Sequence, residues 1–386
     1  MTTTDSLRGR IGLAIANCAG MVDLVATPIW VGTLVDFYKF DPQEAGLLVS
    51  LFLAGAVLSS IVVARMFHRF TSGRGVAVIG FVVASGIFFA LSKTMDFGVL
   101  ATLHVLGGLA IGAVLSVKDG TVARSSNPHR VFAICGTALG IFALVFLGAV
   151  PPVLAELGGT LLFHILAVIM MIGAVSSFVA FPKVDAVVSA PEFSQTKGSV
   201  TFTVWAGIVG LCCMGVVQSM AFSFLERAGV EREFGVEKVT AILVALGFIN
   251  LFPTVLAALL EKRLNPKSVL MSGAVLQALL VLIIFGTTTY LPYSIAGSLF
   301  VSVMLFSHVF GFGLLARLET TGRALAATPA IMMAGGAIGP VLGGTLIKFS
   351  SYQALGVAAV VMGIAALACF SQLPKSVSSR DDIDAQ

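Results

Sequence analysis

The sequence predicts an all-α membrane protein, with twelve transmembrane helices in two pseudo-symmetric bundles of six. Three observations support this fold class. First, 58% of the 386 residues are hydrophobic and only 11% are charged, whereas a soluble domain carries about 25% charged residues. Second, apolar runs of membrane-spanning length, about 20 residues each, recur along the whole chain. Third, a single long polar interval divides these runs into two groups of six.

The apolar runs define twelve predicted spans. They cover residues 11–35, 43–64, 75–92, 97–117, 131–150, 160–181, 201–225, 239–260, 268–287, 291–316, 324–347 and 352–373. The first run is too long for the apolar core of a signal peptide and has no convincing cleavage site, so it is interpreted as an uncleaved span.

Lys and Arg are distributed unequally between the two sides of the predicted bundle. When the N-terminus is placed inside, 17 of the 23 Lys and Arg residues fall on the inner side and 6 on the outer side. Basic residues mark cytoplasmic loops. The bias therefore predicts a multi-pass protein of the inner membrane with both termini in the cytoplasm.

The polar interval near the middle of the chain predicts the domain organisation. We expect an N-terminal bundle over 1–181, a cytoplasmic linker over 182–200, a C-terminal bundle over 201–373 and a cytoplasmic tail over 374–386. Each half has a basic turn after its second span and another before its fifth. Repeated halves are typical of secondary transporters, whose substrate site lies where the halves meet.

Three motifs resemble those of the major facilitator superfamily, and the resemblance extends over essentially the whole chain. The loop over 64–74 keeps the basic residues of the family motif G-x-L-a-D-r-x-G-r-r but lacks its Asp. In span four, Gly108 fits R-x-x-q-G-x-g while His104 occupies the position of the arginine. Span eleven matches G-x-x-x-G-P-x-x-G-G over 335–344. The chain is most similar to bacterial twelve-span drug/proton members, which implies transport by alternating access.

The acid in span one is the first candidate functional residue. Asp23 lies midway along the span, where a charge costs at least about 2.5 kcal/mol and is retained when it pairs, faces water or carries a proton. Thr27 and Trp30 share its helical face, and Pro28 predicts a kink beside it. We expect Asp23 to carry protons and Thr27 and Trp30 to contact substrate; a structural hydrogen bond by Asp23 is the alternative.

Further candidates lie in spans four, seven and eight. An imidazole ordinarily titrates in the physiological range, so His104 is expected to assist Asp23 in proton coupling, with a packing role as the alternative. Gln218, Phe222 and Glu226 form a stripe at four-residue spacing, in the span equivalent to span one. They are expected to contact substrate, as is Asn250 in span eight, although Glu226 alternatively pairs at the outer surface.

Two further sets of residues are assigned to gating and to packing. Charged residues of the cytoplasmic loops and span ends are assigned to gating: Arg69, Arg74, Lys118, Asp119, Arg130 and Arg323. Small residues in glycine-rich stretches are assigned to close helix packing: Gly108, Gly112, Gly335, Gly339, Pro340 and Gly343.

Composition excludes several other kinds of partner. The five cysteines all lie in apolar runs, which argues against disulfides and a metal site. A Walker loop is absent, so no nucleotide cofactor is expected. The net charge of +4 is too dispersed for nucleic acid. The expected partners are a small-molecule substrate, protons and the lipid bilayer, and a monomer is expected.

The sequence therefore predicts a secondary transporter that exports a small organic solute, coupled to protons. Proton symport of an organic acid or other small metabolite is the close alternative. A membrane-embedded enzyme is disfavoured because no nucleophile has a partner His and acid. A non-transporting receptor on the same scaffold is disfavoured because the C-terminal tail is short.

Overall fold

A computed structural model describes residues 3–4, 6–66, 73–182, 201–318 and 323–374, with the side chains of 323–332 excluded. The described part is helical and contains no strand, which confirms the predicted fold class. Its fourteen helices are α1 Leu7–Gly20, α2 Val22–Asp36, α3 Pro42–Met66, α4 Arg74–Leu91, α5 Phe97–Ala123, α6 Pro128–Leu157, α7 Leu161–Ala180, α8 Phe202–Glu231, α9 Val236–Ile249, α10 Pro253–Leu260, α11 Pro266–Gly286, α12 Tyr290–Leu318, α13 Arg323–Phe349 and α14 Gln353–Ser371.

These helices account for the twelve predicted spans. Eleven segments in the described part are long and apolar enough to cross a membrane, and α13 forms the remaining span. Several begin at side-chain caps that the sequence encodes. Asn127 accepts a hydrogen bond from the backbone N–H of Arg130, and Asn265 accepts one from Ser268, each followed by a proline at the first helical position. Such caps satisfy amide donors that have no partner within the helix.

Two of the spans are broken near mid-depth. Span one divides at Met21 into α1 and α2, which are nearly equal in length, and Pro28 remains inside α2. Pro28, at which a kink is expected, lies seven residues after this break. Span eight divides between α9 and α10, where Pro253 starts the second piece and supplies no N–H to continue the first.

The two halves repeat the same packing plan. In the N-terminal half, α1 packs on α6 and α7, and α4 packs on α5 and α7. In the C-terminal half, α8 packs on α13 and α14, and α11 packs on α12 and α14. These are equivalent pairs of spans, which confirms the predicted pseudo-symmetry. The structure does not describe residues 183–200 or 375–386. The expected linker and tail, apart from their first residues, therefore lie outside the described part of the chain.

In the described part of the chain, the most extensive contacts between the halves are those of α3 with α13, α6 with α9 and α2 with α8. Spans one and seven, which supply α2 and α8, are the most buried of the candidate spans. These two spans therefore form the centre of the molecule, between the halves.

Glycines allow the closest helix contacts. A methyl group at Gly108 would overlap the carbonyl oxygen of Phe52, and one at Gly112 would overlap that of Ala56. On α13, a methyl group at Gly339 would overlap the hydroxyl of Ser219 on α8. The packing roles expected for these glycines agree with these contacts.

Candidate functional site

Within the described residues, the halves pack together toward one end of the molecule and are separated toward the other, because α2 packs on α8 whereas α1 makes no extensive contact with α8. We call the end where α1 begins and α14 ends the terminal end, and the opposite end the far end. Toward the terminal end, the central helices expose Leu7 and Ile11 on α1 and Trp205 and Val209 on α8. Toward the far end, residues of α2 and α8 such as Leu34 are fully buried.

Polar contacts close the far end between the halves. Asp36 at the end of α2 pairs with Arg227 of α8 at 3.1 Å, and Asp41 pairs with Lys348 at the end of α13 at 2.7 Å. Asp41 also caps α3, because its Oδ1 accepts hydrogen bonds from the amides of Gln43 and Glu44.

Close backbone contact between α3 and α13 completes this closure. Gln43 Nε2 donates to Thr345 Oγ1 at 3.2 Å, and the amide of Val341 donates to Ser50 Oγ at 3.0 Å. A methyl group at Gly46 would overlap the carbonyl oxygen of Pro340. The far end is therefore sealed by side-chain pairing and by direct helix apposition.

The carboxyl group of Asp41 responds to this environment. Partial burial raises the pKa of Asp41. The opposing effects are larger in sum: the pKa is lowered by the hydrogen bond from Lys348, by the backbone amides of its own turn and by the charge of the lysine. The net pKa lies below the ordinary value for aspartate. Asp41 is therefore ionised, and the ion pair is formed, throughout the neutral range.

Asp23 lies in the first turn of α2, directly after the break in span one. Free amide groups at a helix N-terminus favour a negative charge there. Its side chain is only 8% exposed, and it forms none of the ion pairs found in the described part of the chain. Thr27 donates its hydroxyl to the carbonyl oxygen of Asp23. Asp23 is thus a buried carboxyl beside a break in a central helix.

The face of α2 that carries Asp23 points into the N-terminal half. Gly32 faces α8, because a methyl group there would overlap a carboxylate oxygen of Glu226. Asp23 lies nine residues earlier, which turns it about 180° around the helix from Gly32. The expectation that Asp23, Thr27 and Trp30 face the space between the halves therefore differs from this structure.

Trp30 lies in an aromatic cluster inside the N-terminal half. Its ring contacts Phe52, Phe88, Phe163 and His104, with centroid distances of 5.2–5.9 Å, and its side chain is fully buried. The ring is therefore a packing element in this conformation and is not accessible to a solute.

His104 is also fully buried. Its Nδ1 donates to the carbonyl oxygen of Leu100 at 2.7 Å, and its buried Nε2 has no hydrogen-bond partner. A carbonyl oxygen only accepts, so Nδ1 carries a hydrogen. His104 forms no hydrogen bond with Asp23 in this structure.

The stripe expected on span seven lies on α8. Gln218, Phe222 and Glu226 are all half-buried. Gln218 accepts a hydrogen bond from Gln277 Nε2 at 3.2 Å, and Phe222 contacts the ring of Phe300. These residues connect the interior of the C-terminal half to the contact between α8 and α2.

Asn250 ends α9 at the break in span eight. Its Oδ1 is buried without a hydrogen-bond partner. The next residue, Leu251, lies against Gly140 of α6 in the other half. Irregular backbone at membrane depth is tolerated where it is enclosed by protein or lines a cavity, so this break is well placed for a solute contact.

The expected gating residues have varied locations. Lys118 is buried, and its Nζ contacts Asn17 Oδ1 at 2.6 Å and Asp119 at 2.5 Å. The lysine therefore pairs with its neighbour in the chain and joins α5 to α1 within one half. Arg74 lies over the ring of Phe178. Arg69 and the side chain of Arg323 lie outside the described residues.

Sequence reasoning missed three polar residues. Asn17 supports Lys118, and Asp36 and Asp41 form the pairs at the far end. Asp36 lies at a span end and Asp41 in a short loop. Charged residues at such positions are ordinarily solvated, so they do not indicate a specific partner. Their partners lie about 190 and 300 residues away in the chain, and no local spacing indicates such pairs.

Comparison with known proteins identifies the fold. A sequence profile described as the Major Facilitator Superfamily matches residues 13–321. A solved structure of a mutant of the nucleoside transporter NupG aligns with a TM-score of 0.77 at 14% identity, over 94% of this chain and 99% of that chain. No curated protein sequence matches the chain.

A second solved structure has the same fold. It is a bacterial homolog to the human lysosomal transporter Spinster, in an inward-facing and occupied conformation. It aligns with a TM-score of 0.71 at 13% identity, over 94% of this chain and 93% of that chain. At such identities the similarity concerns the fold.

Proposed function

The chain belongs to the major facilitator superfamily, and from that premise we propose that it is a secondary active transporter that moves a small organic solute by alternating access. The observation that supports this most directly is the one-sided opening between the halves. With the termini in the cytoplasm, as the basic residues indicate, the open terminal end faces inward.

An amphipathic or lipophilic solute is the proposed substrate class, and export is the proposed direction. Several exposed residues of the central helices toward the opening are apolar, including Ile11, Trp205 and Val209. A further apolar groove lies between α6 and α9. We assign Gln218, Phe222 and Asn250 as contacts, because they combine aromatic surface with a few polar groups at the meeting of the halves.

Proton coupling is proposed to involve Asp23. A buried carboxyl without a cationic partner is costly when ionised and far less so when protonated. Its position beside the break in span one connects its protonation to the geometry of a central helix. His104 is buried against the ring of Trp30, so the proposal assigns the proton to Asp23.

Substrate counterflow in proteoliposomes tests the proposed function. Purified protein is reconstituted, loaded with one unlabelled candidate, and exposed to the same labelled compound outside. The panel contains lipophilic cations, aromatic acids and, because one solved structure of this fold is a nucleoside transporter, nucleosides. Labelled solute is expected to accumulate transiently for at least one class, and protein-free liposomes serve as the control.

The same vesicles discriminate export from symport. With an imposed pH gradient, an antiporter drives solute against the direction of proton movement, whereas a symporter drives it in the same direction. Solute movement that is unaffected by the gradient and by an uncoupler would remove proton coupling from the proposal and leave facilitated transport.

A further inference from the structure

The most unusual carboxyl group in the interface between the halves is that of Glu226. It lies on α8 with Oε2 against Gly32 of α2, and this oxygen is buried without a hydrogen-bond partner. The side chain as a whole is half-buried. One oxygen is thus enclosed at the contact between the halves, while the residue as a whole is not fully buried.

The contact depends on the absence of a side chain at position 32. A methyl group there would overlap Oε2 of Glu226. Glycine in the interior of a helix is unfavourable by about 0.5–1 kcal/mol relative to alanine. Its presence here allows the carboxyl group to sit directly against the backbone of α2.

The charges around Glu226 do not balance an ionised carboxylate. Arg227 is the adjacent cation, and it already pairs with Asp36 from α2 at 3.1 Å. Tyr293 from α12 donates its hydroxyl to Leu225, and the guanidinium of Arg232 donates to the carbonyl oxygens of Ile284 and Phe285.

Charged groups on the other neighbouring elements are also engaged elsewhere. Lys348 of α13 pairs with Asp41, and Tyr352 before α14 lies close to Glu231. With Glu226 neutral, Asp36 and Arg227 cancel. With Glu226 ionised, two carboxylates share one guanidinium, and the contact carries an uncompensated negative charge.

We propose that Glu226 is a proton-binding site that controls the far end: the protonated carboxyl packs against Gly32 and holds α2 against α8, and loss of the proton separates them. An uncompensated buried carboxylate costs several kcal/mol, which opening to water relieves. Repulsion between Glu226 and Asp36 acts in the same direction. The proton passes to water on deprotonation and returns from water before the contact re-forms.

This inference deepens the proposed function, because a gate has meaning only in an alternating-access protein. Its test, however, needs no substrate. Spin labels are placed at Met95 and Thr288, exposed far-end residues in opposite halves, in a background with the five native cysteines replaced by alanine. Their distance distribution is measured by double electron–electron resonance in nanodiscs between pH 5 and pH 9.

The labelled protein that retains Glu226 is expected to show short Met95–Thr288 distances at pH 5. The population with long distances is expected to grow toward pH 9. Glu226→Gln is expected to lose this response and keep the short distances throughout. Glu237→Gln is the matched control, because Glu237 is an exposed carboxylate at the same end, and it should retain the response. A gate without pH response, or an unchanged response in Glu226→Gln, would overturn the proposal.

Substitution of Gly32 provides an independent test of the proposal. Gly32→Ala is expected to give long distances even at pH 5, and adding Glu226→Ala is expected to restore the short ones by removing the overlap. Gly86→Ala is the control, since a methyl group there meets no atom within 4 Å. Absent counterflow together with a pH-responsive gate would contradict the transport proposal and leave the gate intact.

Discussion

Three ionisable residues at the centre of this protein are all buried but differ in whether a group of opposite charge pairs with them. Asp23 is enclosed without a cation, His104 is buried and donates to the carbonyl oxygen of Leu100, and Lys118 is buried but paired with Asp119. Ionisable groups within membrane segments are costly and mark functional sites. Of these three, Asp23 is the only acid, and it is buried without a charged partner, so it is the residue on which proton coupling is tested.

Asp23→Asn is expected to abolish proton-driven accumulation while leaving counterflow intact. An amide cannot exchange a proton, but it has nearly the same volume and still suits the first turn of α2. With a gradient of one pH unit, one coupled proton sustains about a tenfold solute ratio, and the variant should show a ratio near one. The measurement is labelled solute inside proteoliposomes at steady state.

Glu156→Gln is the matched control for this measurement, because Glu156 is an exposed acid at the end of α6. It should accumulate solute as the unmodified protein does. Accumulation that persists in Asp23→Asn would show that Asp23 has a structural role.

At the scale of elements, broken helices and glycine contacts give the spans their particular shapes. The breaks at Met21 and after Asn250 interrupt the backbone near mid-depth in both halves. The glycines of α5 instead hold two intact helices in backbone contact. Gly108 and Gly112 are successive points of that contact, one turn apart. Movement is therefore expected at the breaks, with α3 and α5 moving as one body.

Gly108→Ala is expected to destabilise the N-terminal half. The added methyl group overlaps the carbonyl oxygen of Phe52 on α3, and backbone cannot move aside as a flexible side chain would. Overpacking of this kind costs about 1–3 kcal/mol. The measurement is the thermal unfolding midpoint in detergent, which should fall by several degrees.

Gly136→Ala is the control for this substitution, because a methyl group there meets no atom within 4 Å. Alanine also has the higher helix propensity, so this variant should be unchanged or slightly more stable. Equal losses of stability in both variants would contradict the close packing of α3 and α5.

At the scale of the whole molecule, the halves are joined at the far end and apart at the terminal end. The far-end contact combines two ion pairs, two hydrogen bonds between α3 and α13, and the Glu226–Gly32 contact. Each is weak enough to break, since partly exposed ion pairs contribute about 0.2–1 kcal/mol. A closed end built from several weak contacts suits a protein that must open it in every cycle.

Asp41→Asn is expected to weaken closure modestly. Asparagine retains the cap on α3 and removes the charge that pairs with Lys348, so the closed population should fall about 1.5- to 5-fold relative to the open one. The Met95–Thr288 distance distribution reports this change at pH 6.

The pH dependence of this pair has a definite sign. The folded pKa of Asp41 lies below its unfolded value of about 3.9, so the pair contributes fully above that value and is lost as pH falls through the folded pKa. Closure by Asp41 thus fails in acid, whereas closure by Glu226 fails as pH rises. A loss of the Asp41 contribution between pH 6 and pH 8 would contradict this assignment.

Cross-linking the far end is expected to arrest transport. Gln43→Cys and Thr345→Cys replace side chains that touch across the halves at 3.2 Å, and a short bifunctional thiosulfonate would join them in the same cysteine-free background. Uptake should stop and return on reduction. The control pair, Ser92→Cys with His164→Cys, joins side chains at the same distance within one half and should leave transport unaffected.

The sequence by itself determined the membrane spans, the two-fold plan, the family and the identity of the unusual acids, because hydrophobic length, loop charge and local motifs are properties of short segments. It also identified Gly108 and Gly112 as contact positions. Only the tertiary structure decided which way each helix face points and what each acid meets. Asp23 and Trp30 share a helical face in the sequence, but the rotation of α2 turns that face into the N-terminal half. Asp36, Asp41 and Glu226 acquire their roles from partners on the other half of the chain, and long-range contacts leave no local pattern.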